Sequence, residues 1–398
     1  MRILLIHNFY QQFGGEDQIV LQEMEQLKKE HEVYFYSRHN DELIQLGAVQ
    51  KAQTALSTID SRTTRTQIAA VVAEFRPDVA FIHNIYPLIS PSLYHALHAL
   101  SVPMVQVIHD FRPLCSDGQF YNDTGICERC IDGNHLHAIR YSCYRGSKFL
   151  SALYAATMSY ARKSGALAKI DSFICLTEFA RQKVIQSGIA GGEKIYVKPH
   201  SIDASHIKTA IGSGDYVGFI GRLSREKGVW TLVKAFEKLD GPVLKIAGKG
   251  PLEEPIRQYI QEKGIRNIEL VGFVSGDAKT EFFRNSQFMV VPSGWFEMFG
   301  LVVLEAWAAG KPVIGSRLGA LPDLIEDGKN GLLFNPGDSD DLAEKIDLLY
   351  RSPGLIAQMG TRSRWLVDTK YTPKASDEQL TGIFRKTCNA EQEAFASE

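Results

Sequence analysis

Short apolar runs alternate with amphipathic stretches along most of the chain. The runs in the first half are rich in Val and Ile, which is typical of strands buried on both faces of a parallel sheet. They are Arg2–Ile6, Glu32–Tyr36, Asp78–His83, Met104–Ile108 and Asp171–Leu176. Helical periodicity lies between them, for example over 17–30 and 63–75. The alternation predicts an α/β fold with a parallel sheet.

The same pattern starts again after an irregular stretch. The second set of runs is Tyr216–Ile220, Val243–Ala247, Asn267–Val271, Phe288–Val291, Pro312–Gly315 and Leu332–Phe334. Pro199, Gly212 and Gly214 interrupt regular structure before it. We therefore predict two doubly wound domains, 1–198 and 199–372, with a final helix at about 373–398 that packs back on the first. Ligands bind at the carboxyl ends of such strands, so functional residues are expected just after them, facing a cleft between the domains.

Composition narrows the class of protein. The chain has 398 residues, 44% of them hydrophobic and 23% charged, with a formal net charge of −2. This balance excludes the basic excess of a nucleic-acid-binding protein. The apolar start is cut off by His7 and Asn8, too early for a signal-peptide core, and no run approaches the roughly 18 apolar residues of a membrane span. We expect a cytoplasmic protein that at most touches a membrane.

The segment after Val291 is rich in candidate chemistry. A helix is expected from Gly300 to Ala309, and its first amides would suit a phosphate. Those amides belong to Phe299, Gly300 and Leu301. Glu297 and Glu305 could each bind hydroxyls of one ligand, a sugar and a ribose respectively. Two glutamates eight residues apart also occur often by chance. The alternative is that Glu297 and Glu305 are solvated helix residues without a ligand.

A glycine-bounded loop, Gly221–Gly228, follows the first strand of the second domain. Its Arg222 and Lys227 could clamp a diphosphate through charge-assisted hydrogen bonds. Ordinary surface cations in a solvated loop are the alternative. The later Gly248–Pro251 stretch is predicted as a turn.

Taken together these motifs resemble the retaining glycosyltransferases of family 4. The resemblance rests on the Gly221–Gly228 loop, on Glu297 with Glu305, and on a glycine- and proline-rich continuation. That continuation consists of Gly310–Ile314, Gly319, Pro322-Asp323, Gly328 and Gly331–Phe334. The resemblance covers nearly the whole chain. It implies the GT-B fold, in which two Rossmann-like domains face each other across a cleft.

The resemblance also implies roles for individual residues. Arg222 and Lys227 would contact the donor diphosphate, Glu297 the transferred sugar and Glu305 the ribose. The remaining donor contacts would come from Gly221, Phe273, Val274, Phe299, Gly300 and Leu301. The leaving diphosphate would help to deprotonate the acceptor hydroxyl. Because the two cations would take the place of a metal ion, catalysis would need no metal or other cofactor. UDP is favoured over GDP as the nucleotide.

Two features of the first domain fit the same interpretation. Gly14 and Gly15 precede Glu16 and resemble a family loop whose amides face the donor phosphate or the acceptor. A plain turn is the alternative. His109 follows a strand, and the resemblance places it near the donor sugar as a catalytic residue. A structural histidine is the alternative there.

Four cysteines crowd into one region, Cys115, Cys127, Cys130 and Cys143. The spacing suits a structural zinc ion, but reduced packing thiols or disulfides are also compatible with it. The strings around these residues resemble a polysaccharide-type subgroup of family 4 with a Cys-rich insertion.

The adjoining segment 133–170 contains no Asp or Glu and mixes Lys and Arg with aromatic residues. It could rest on an anionic membrane, which would suit a lipid-linked glycan acceptor in cell-surface polysaccharide synthesis. An ordinary core helix with a basic outer edge is the alternative. Two other functions compete with glycosyl transfer, a nucleotide-sugar epimerase of the same fold and a non-catalytic partner in a glycan-assembly complex.

Overall fold

The computed structural model describes residues 1–44 and 48–396, with side chains outside 48–53 and 390–396. Contacts divide the chain into two compact units. The first consists of Met1–Phe120, Cys127–Pro199 and Ser376–Glu398, and the second of Tyr121–Ile126 and His200–Ala375. The main division therefore lies between Pro199 and His200, beside the boundary predicted from the sequence.

The first unit is built on a six-stranded parallel sheet. The strands before Pro199 are β1 (Arg2–Phe9), β2 (Glu32–His39), β3 (Val79–Ile82), β4 (Met104–Ile108), β5 (Tyr121–Asn122), β6 (Gly125–Ile126), β7 (Ser172–Cys175) and β8 (Ile195–Val197). The sheet has the order β2-β1-β3-β4-β7-β8, and β5 and β6 form a separate antiparallel hairpin whose residues group with the second unit. Strand β8, which has only three residues, was not predicted from the sequence. Strands β3 and β4 are buried throughout.

Helices cover this sheet. They are α1 (Gly15–Leu27), α2 (Ala48–Ile59), α3 (Arg62–Phe75), α4 (Ser92–Ala99), α5 (Leu136–Arg140), α6 (Lys148–Lys163) and α7 (Glu178–Gln186). A last helix, spanning Pro373–Ala396, also packs here. Its Phe384 ring meets Phe81 of β3 edge to face at 5.1 Å, and its Thr387 hydroxyl lies 2.8 Å from that of Ser172.

The second unit repeats the architecture. Its strands are β9 (Tyr216–Ile220), β10 (Leu244–Ala247), β11 (Ile268–Gly272), β12 (Ser286–Val291), β13 (Val313–Ser316) and β14 (Gly331–Phe334). Its helices are α8 (Val229–Phe236), α9 (Glu253–Lys263), α10 (Gly276–Asn285), α11 (Leu301–Ala308), α12 (Leu321–Leu324), α13 (Ser339–Tyr350) and α14 (Pro353–Thr369), and the C-terminal helix is α15. The parallel sheet has the order β11-β10-β9-β12-β13-β14. The prediction of two doubly wound α/β units is confirmed.

Each sheet reverses its winding direction beside its first strand. In the second unit β9 lies between β10 and β12, and in the first β1 lies between β2 and β3. Loops that leave the carboxyl ends of such neighbouring strands diverge and open a crevice, where ligands of α/β proteins bind. Within the described residues, no helix is both long and apolar enough to span a bilayer.

Candidate active site

In the second unit, the loops after β9 and β12 lie against each other. Gly228 has φ +68°, and a Cβ there would lie 1.8 Å from the carbonyl oxygen of Pro292. Only glycine tolerates both the conformation and the close approach. The N–H of Gly294 donates to the carbonyl of Glu226 at 2.8 Å. These contacts fix the position of Lys227 relative to the loop that carries Glu297.

Glu297 lies at the junction of the two loops and is buried. Three donors converge on its Oε1, namely Lys227 Nζ at 2.7 Å, Ser293 Oγ at 2.7 Å and Trp295 Nε1 at 2.9 Å. Lys227 Nζ also lies 4.7 Å from the centre of the Trp295 ring. Burial by itself would raise the pKa of Glu297, but the charge and hydrogen bond of Lys227 outweigh it and the pKa is lowered. Glu297 is therefore a fixed carboxylate.

A third loop, after β13, packs against the backbone of Glu297 and Ser293. Gly319 has φ +60°, and a Cβ there would lie 2.8 Å from the backbone nitrogen of Glu297. The N–H of Ala320 donates to the Glu297 carbonyl at 3.0 Å, and Ser316 Oγ donates to the Ser293 carbonyl at 2.7 Å. Glu297 is thus held from three strand ends, which limits its motion before any ligand arrives.

Helix α11 begins directly after this carboxylate. Its residues are Leu301–Ala308, one residue shorter at each end than predicted. Gly300 has φ +89°, which a side chain would strain. The amides of Phe299, Gly300 and Leu301 donate to no group in the described part of the chain. Within the described residues these N–H groups are therefore unsatisfied, as is usual at the start of a helix, and such a helix start favours the binding of an anion.

The other predicted donor residues differ in their surroundings. Glu305 of α11 pairs with Lys279 of α10 at 2.5 Å, a partner that the sequence did not suggest. Arg222 is exposed and pairs with no carboxylate of the described residues. Phe273, after β11, is 68% exposed and Val274 is half-buried. The N–H of Gly221 donates to the Ala247 carbonyl at 3.0 Å, so that amide is occupied by the sheet.

The first unit carries a polar pocket of its own. Residues that follow β1, β3 and β4 line it together with the first turn of α1. We call it the strand-end pocket, and its polar lining includes Tyr10, Glu16, Asn84, His109, Asp110 and Arg112. Of these, His109 alone was among the predicted site residues.

His109 lies in the strand-end pocket beside a second histidine. Its Nε2 is 2.7 Å from His83 Nδ1, and the two rings stack with centroids 5.0 Å apart. Burial lowers the pKa of His109 to about 4, so the ring is neutral near pH 7. A neutral imidazole can donate or accept a hydrogen bond but carries no charge of its own.

Glu16 was noted in the sequence only as the neighbour of two glycines. Tyr10 donates its hydroxyl to Glu16 Oε2 at 2.7 Å. Burial and the charge of Asp110 raise the pKa of Glu16 to about 7, although Arg112 acts in the opposite direction. Arg112 is itself paired with Asp110 at 3.1 Å and lies 4.9 Å above the Tyr10 ring. The signal available in the sequence was the position of these polar residues just after strands.

The glycine loop before α1 uses one of its amides internally. The N–H of Gly14 donates to Asp17 Oδ2 at 2.9 Å, and Asp17 Oδ1 lies 2.9 Å from His7 Nε2 in a fully buried pair. The Gly14 amide is therefore occupied within the protein, and a ligand-binding role for the Gly14-Gly15 loop stays a prediction. The amide of Gly15 has no acceptor in the described residues.

All six cysteines are free thiols. Burial, together with the nearby Cys143 and Cys127, raises the pKa of Cys130 to about 12. Among residues 1–44 and 48–396, no three His, Cys, Asp or Glu side chains are arranged to hold a metal ion. The zinc site at Cys115, Cys127, Cys130 and Cys143 stays a prediction.

Known proteins place this arrangement in a family. Residues 201–365 match the model for glycosyl transferases group 1, and residues 13–206 match the model for glycosyltransferase family 4. The structure of Anabaena Alr3699/HepE in complex with UDP superposes with a TM-score of 0.72 at 16% identity, covering 97% of this chain and 100% of that one. The fold is therefore GT-B, the class of two-unit glycosyltransferases. The chain belongs to the family 4 and group 1 glycosyltransferases.

Relatives of known sequence agree with this assignment over part of their length. The uncharacterized glycosyltransferase MJ1178 of Methanocaldococcus jannaschii is 31% identical over 218 residues, which are 54% of this chain and 58% of that protein. The O-antigen chain mannosyltransferase C of Escherichia coli is 28% identical over 184 residues, 46% of this chain and 49% of that one. The matched regions thus span about half the length of these relatives.

Proposed function

We propose that this glycosyltransferase moves a sugar from a nucleotide diphosphate, UDP rather than GDP, to a hydroxyl of a glycan or lipid-linked glycan, with retention of anomeric configuration. The observation that carries the proposal is the Lys227–Glu297 pair beside the open helix start after Gly300. The UDP bound to the related Anabaena fold supports the choice of nucleotide. The match to an O-antigen mannosyltransferase supports a role in polysaccharide synthesis.

The second unit supplies the donor chemistry in this proposal. The diphosphate binds the amides at the start of α11 and the cations of Arg222 and Lys227. Glu297 accepts hydrogen bonds from hydroxyls of the transferred sugar, and Glu305 does the same for the ribose. Phe273 and Val274 present main chain to the base.

Catalysis then rests on stabilising the departing diphosphate. Two cations and a helix start are oriented toward the oxygen on which negative charge develops. The leaving oxygen takes the proton of the incoming hydroxyl on the same face of the sugar, which gives retention. Because the cations neutralise the diphosphate, the proposal needs no metal. His109 contributes a neutral hydrogen-bonding group near the sugar.

The test combines binding with turnover. UDP, UDP-sugars and GDP-sugars are screened by thermal shift, where a ligand at about 100 times its dissociation constant stabilises by roughly 2.7 kcal/mol. Arg222→Ala and Lys227→Ala should each lower kcat/KM for the donor about 10–100-fold. Lys234→Ala removes an exposed cation of α8 and serves as the matched control. Unchanged donor kinetics in both loop variants would reject the diphosphate clamp.

Product analysis separates this proposal from its rivals. A nucleotide-sugar epimerase would return an isomerised sugar nucleotide, whereas a transferase releases free nucleotide diphosphate. A non-catalytic partner would bind the nucleotide and release nothing. The intact Lys227–Glu297 pair favours the transferase.

Membrane contact through 133–170 is part of the proposal. Leu136 and Phe149 are 70% and 72% exposed, and Arg140, Arg145 and Lys148 are exposed near them in the sequence. The opposite side of α6 is core, because residues such as Met158 are buried. Pelleting with phosphatidylcholine vesicles, with and without phosphatidylglycerol, tests the contact. Equal pelleting, or no loss in a Leu136→Ser/Phe149→Ser variant, would count against it.

The predicted structural zinc is tested separately. Metal analysis of protein prepared without chelators should find about one zinc per chain. A Cys127→Ser/Cys130→Ser variant should lose it. Metal-free wild type would show that the clustered thiols are packing residues.

A further inference from the structure

The strand-end pocket contains a carboxyl group that the donor chemistry does not use. Glu16 Oε2 accepts the Tyr10 hydroxyl, whereas Oε1 accepts no hydrogen bond from the described residues. Asn84, another lining residue, is fully engaged, because its amide donates to the Asn8 carbonyl at 2.7 Å and its oxygen accepts the Tyr86 N–H at 3.0 Å. Glu16 therefore presents an open acceptor atom where Asn84 does not.

The scaffold under Glu16 is rigid. The buried His7–Asp17 pair joins the end of β1 to the first turn of α1, and the same carboxylate caps that helix at Gly14. Glu16 precedes Asp17, so its backbone is fixed by contacts that involve no ligand. Tyr10 then holds one carboxyl oxygen from the side. Such support by neighbouring hydrogen bonds is what a binding residue needs to act as a fixed reference.

We propose that Glu16 positions the glycosyl acceptor by accepting, through its carboxylate, a hydrogen bond from a hydroxyl of the incoming sugar. The inference rests on the proposed glycosyl transfer and assigns the acceptor to the strand-end pocket. Glu16 binds the hydroxyl and does not take its proton. A hydrogen bond to an ionised acceptor is stronger than one to a neutral acceptor, so the carboxylate form binds better.

Several charged groups around Glu16 set its ionisation. Burial and the charge of Asp110 together raise its pKa to about 7. Arg112, His7 and the Tyr10 hydroxyl lower it. His109, in the same pocket, has its pKa lowered to about 4 and stays neutral over this range. Acceptor binding should therefore strengthen as pH rises through about 7 and level off above it.

The experiment compares wild type with Glu16→Gln. The donor is the sugar nucleotide that gives the largest thermal shift, and the acceptor probes are p-nitrophenyl glucoside, galactoside, mannoside and N-acetylglucosaminide. Release of nucleotide diphosphate is measured with and without each probe. In Glu16→Gln the acceptor KM should rise about 10-fold above neutral pH, with donor KM unchanged. The rise in acceptor kcat/KM near pH 7 should be absent.

Tyr10→Phe distinguishes binding from a purely structural role. It keeps Glu16 but removes the hydrogen bond that favours the carboxylate, so the pKa of Glu16 should rise. The rise in acceptor kcat/KM must then move to higher pH. A structural role for Glu16 predicts no such displacement. Glu25→Gln, an exposed acid on the same helix, is the matched control and should leave every parameter unchanged.

The outcomes separate this inference from the proposed function. No thermal shift and no release of nucleotide diphosphate would reject the glycosyl transfer itself. Donor hydrolysis that no glycoside stimulates would overturn the assignment of the pocket alone. So would an acceptor KM and pH profile that are the same in Glu16→Gln as in wild type.

Discussion

Replacing Lys227 by methionine removes the cation beside a buried carboxylate. The two side chains are 2.7 Å apart and expose 27% and 11% of their surface, respectively. Removing one partner of a fully buried pair costs about 3–5 kcal/mol, whereas an exposed pair contributes about 0–1 kcal/mol. The Lys227–Glu297 pair is partly exposed, so solvent screening reduces the cost below that of a fully buried pair. We expect Lys227→Met to lower the free energy of unfolding of the second unit by about 2 kcal/mol.

The loss should depend on pH with a definite sign. Lys227 lowers the pKa of Glu297 below its ordinary value, so the folded state is favoured by the ionised carboxylate. This contribution is present above the unfolded pKa, about 4.3, and disappears as pH falls through the lower folded pKa. Without Lys227, burial raises the pKa of Glu297 and the folded state protonates readily. The difference between variant and wild type should therefore be largest near neutral pH and shrink toward acid.

Urea unfolding followed by intrinsic fluorescence measures the effect in the relevant unit, because all four tryptophans, 230, 295, 307 and 365, belong to the second unit. Unfolding curves are compared at about pH 7, where a free glutamate is ionised, and at about pH 4, where it is mostly protonated. In a Glu297→Gln background, Lys227→Met should cost much less. An equal loss at both pH values, or in both backgrounds, would refute the electrostatic explanation.

Two further variants test how the second unit is held together, both by the same fluorescence assay. Gly228→Ala should lower the free energy of unfolding by more than about 2 kcal/mol because the new Cβ would clash with the Pro292 carbonyl. The control, Gly264→Ala, has φ +63° but nothing within 4 Å and should cost only about 1–2 kcal/mol. Equal losses in the two variants would show that the close contact at Gly228 is relaxed at no cost. Lys311→Met should cost about 2–3 kcal/mol because the fully buried Nζ donates to the Ala210 and Ser213 carbonyls, which would be left without that donor. The exposed Lys234→Met should be neutral, and a neutral Lys311→Met would mean that water replaces the ammonium.

The sequence predicted the parts of the fold that depend on local hydrophobic pattern. Met104–Ile108 and Tyr216–Ile220 are strands with the predicted bounds because each is a buried apolar run. β8, with three residues, is too short for such a pattern to be seen. The start of α11 was predicted to within one residue because glycine and proline mark its ends.

Contacts between elements that are distant along the chain could not be predicted from the sequence. Lys279 meets Glu305 from a different helix, and no spacing rule links residues 26 apart. The ionisation of Glu16 depends on burial and on charges that follow another strand. The glycines at 14 and 15 suggested a ligand loop, but the capping role of Asp17 became visible only with the backbone in place.

Glu297 and Glu16 differ in acidity because their charged neighbours differ. Lys227 pairs directly with Glu297, so the pKa of Glu297 is lowered. Glu16 has an arginine that is already paired with Asp110, so burial prevails and its pKa rises to about 7. A group that stays ionised gives a constant contribution near neutral pH, whereas one that is half ionised does not. Of these two groups, Glu16 is therefore the one whose ionisation changes near pH 7, and removing the Tyr10 hydroxyl that donates to it should shift that change.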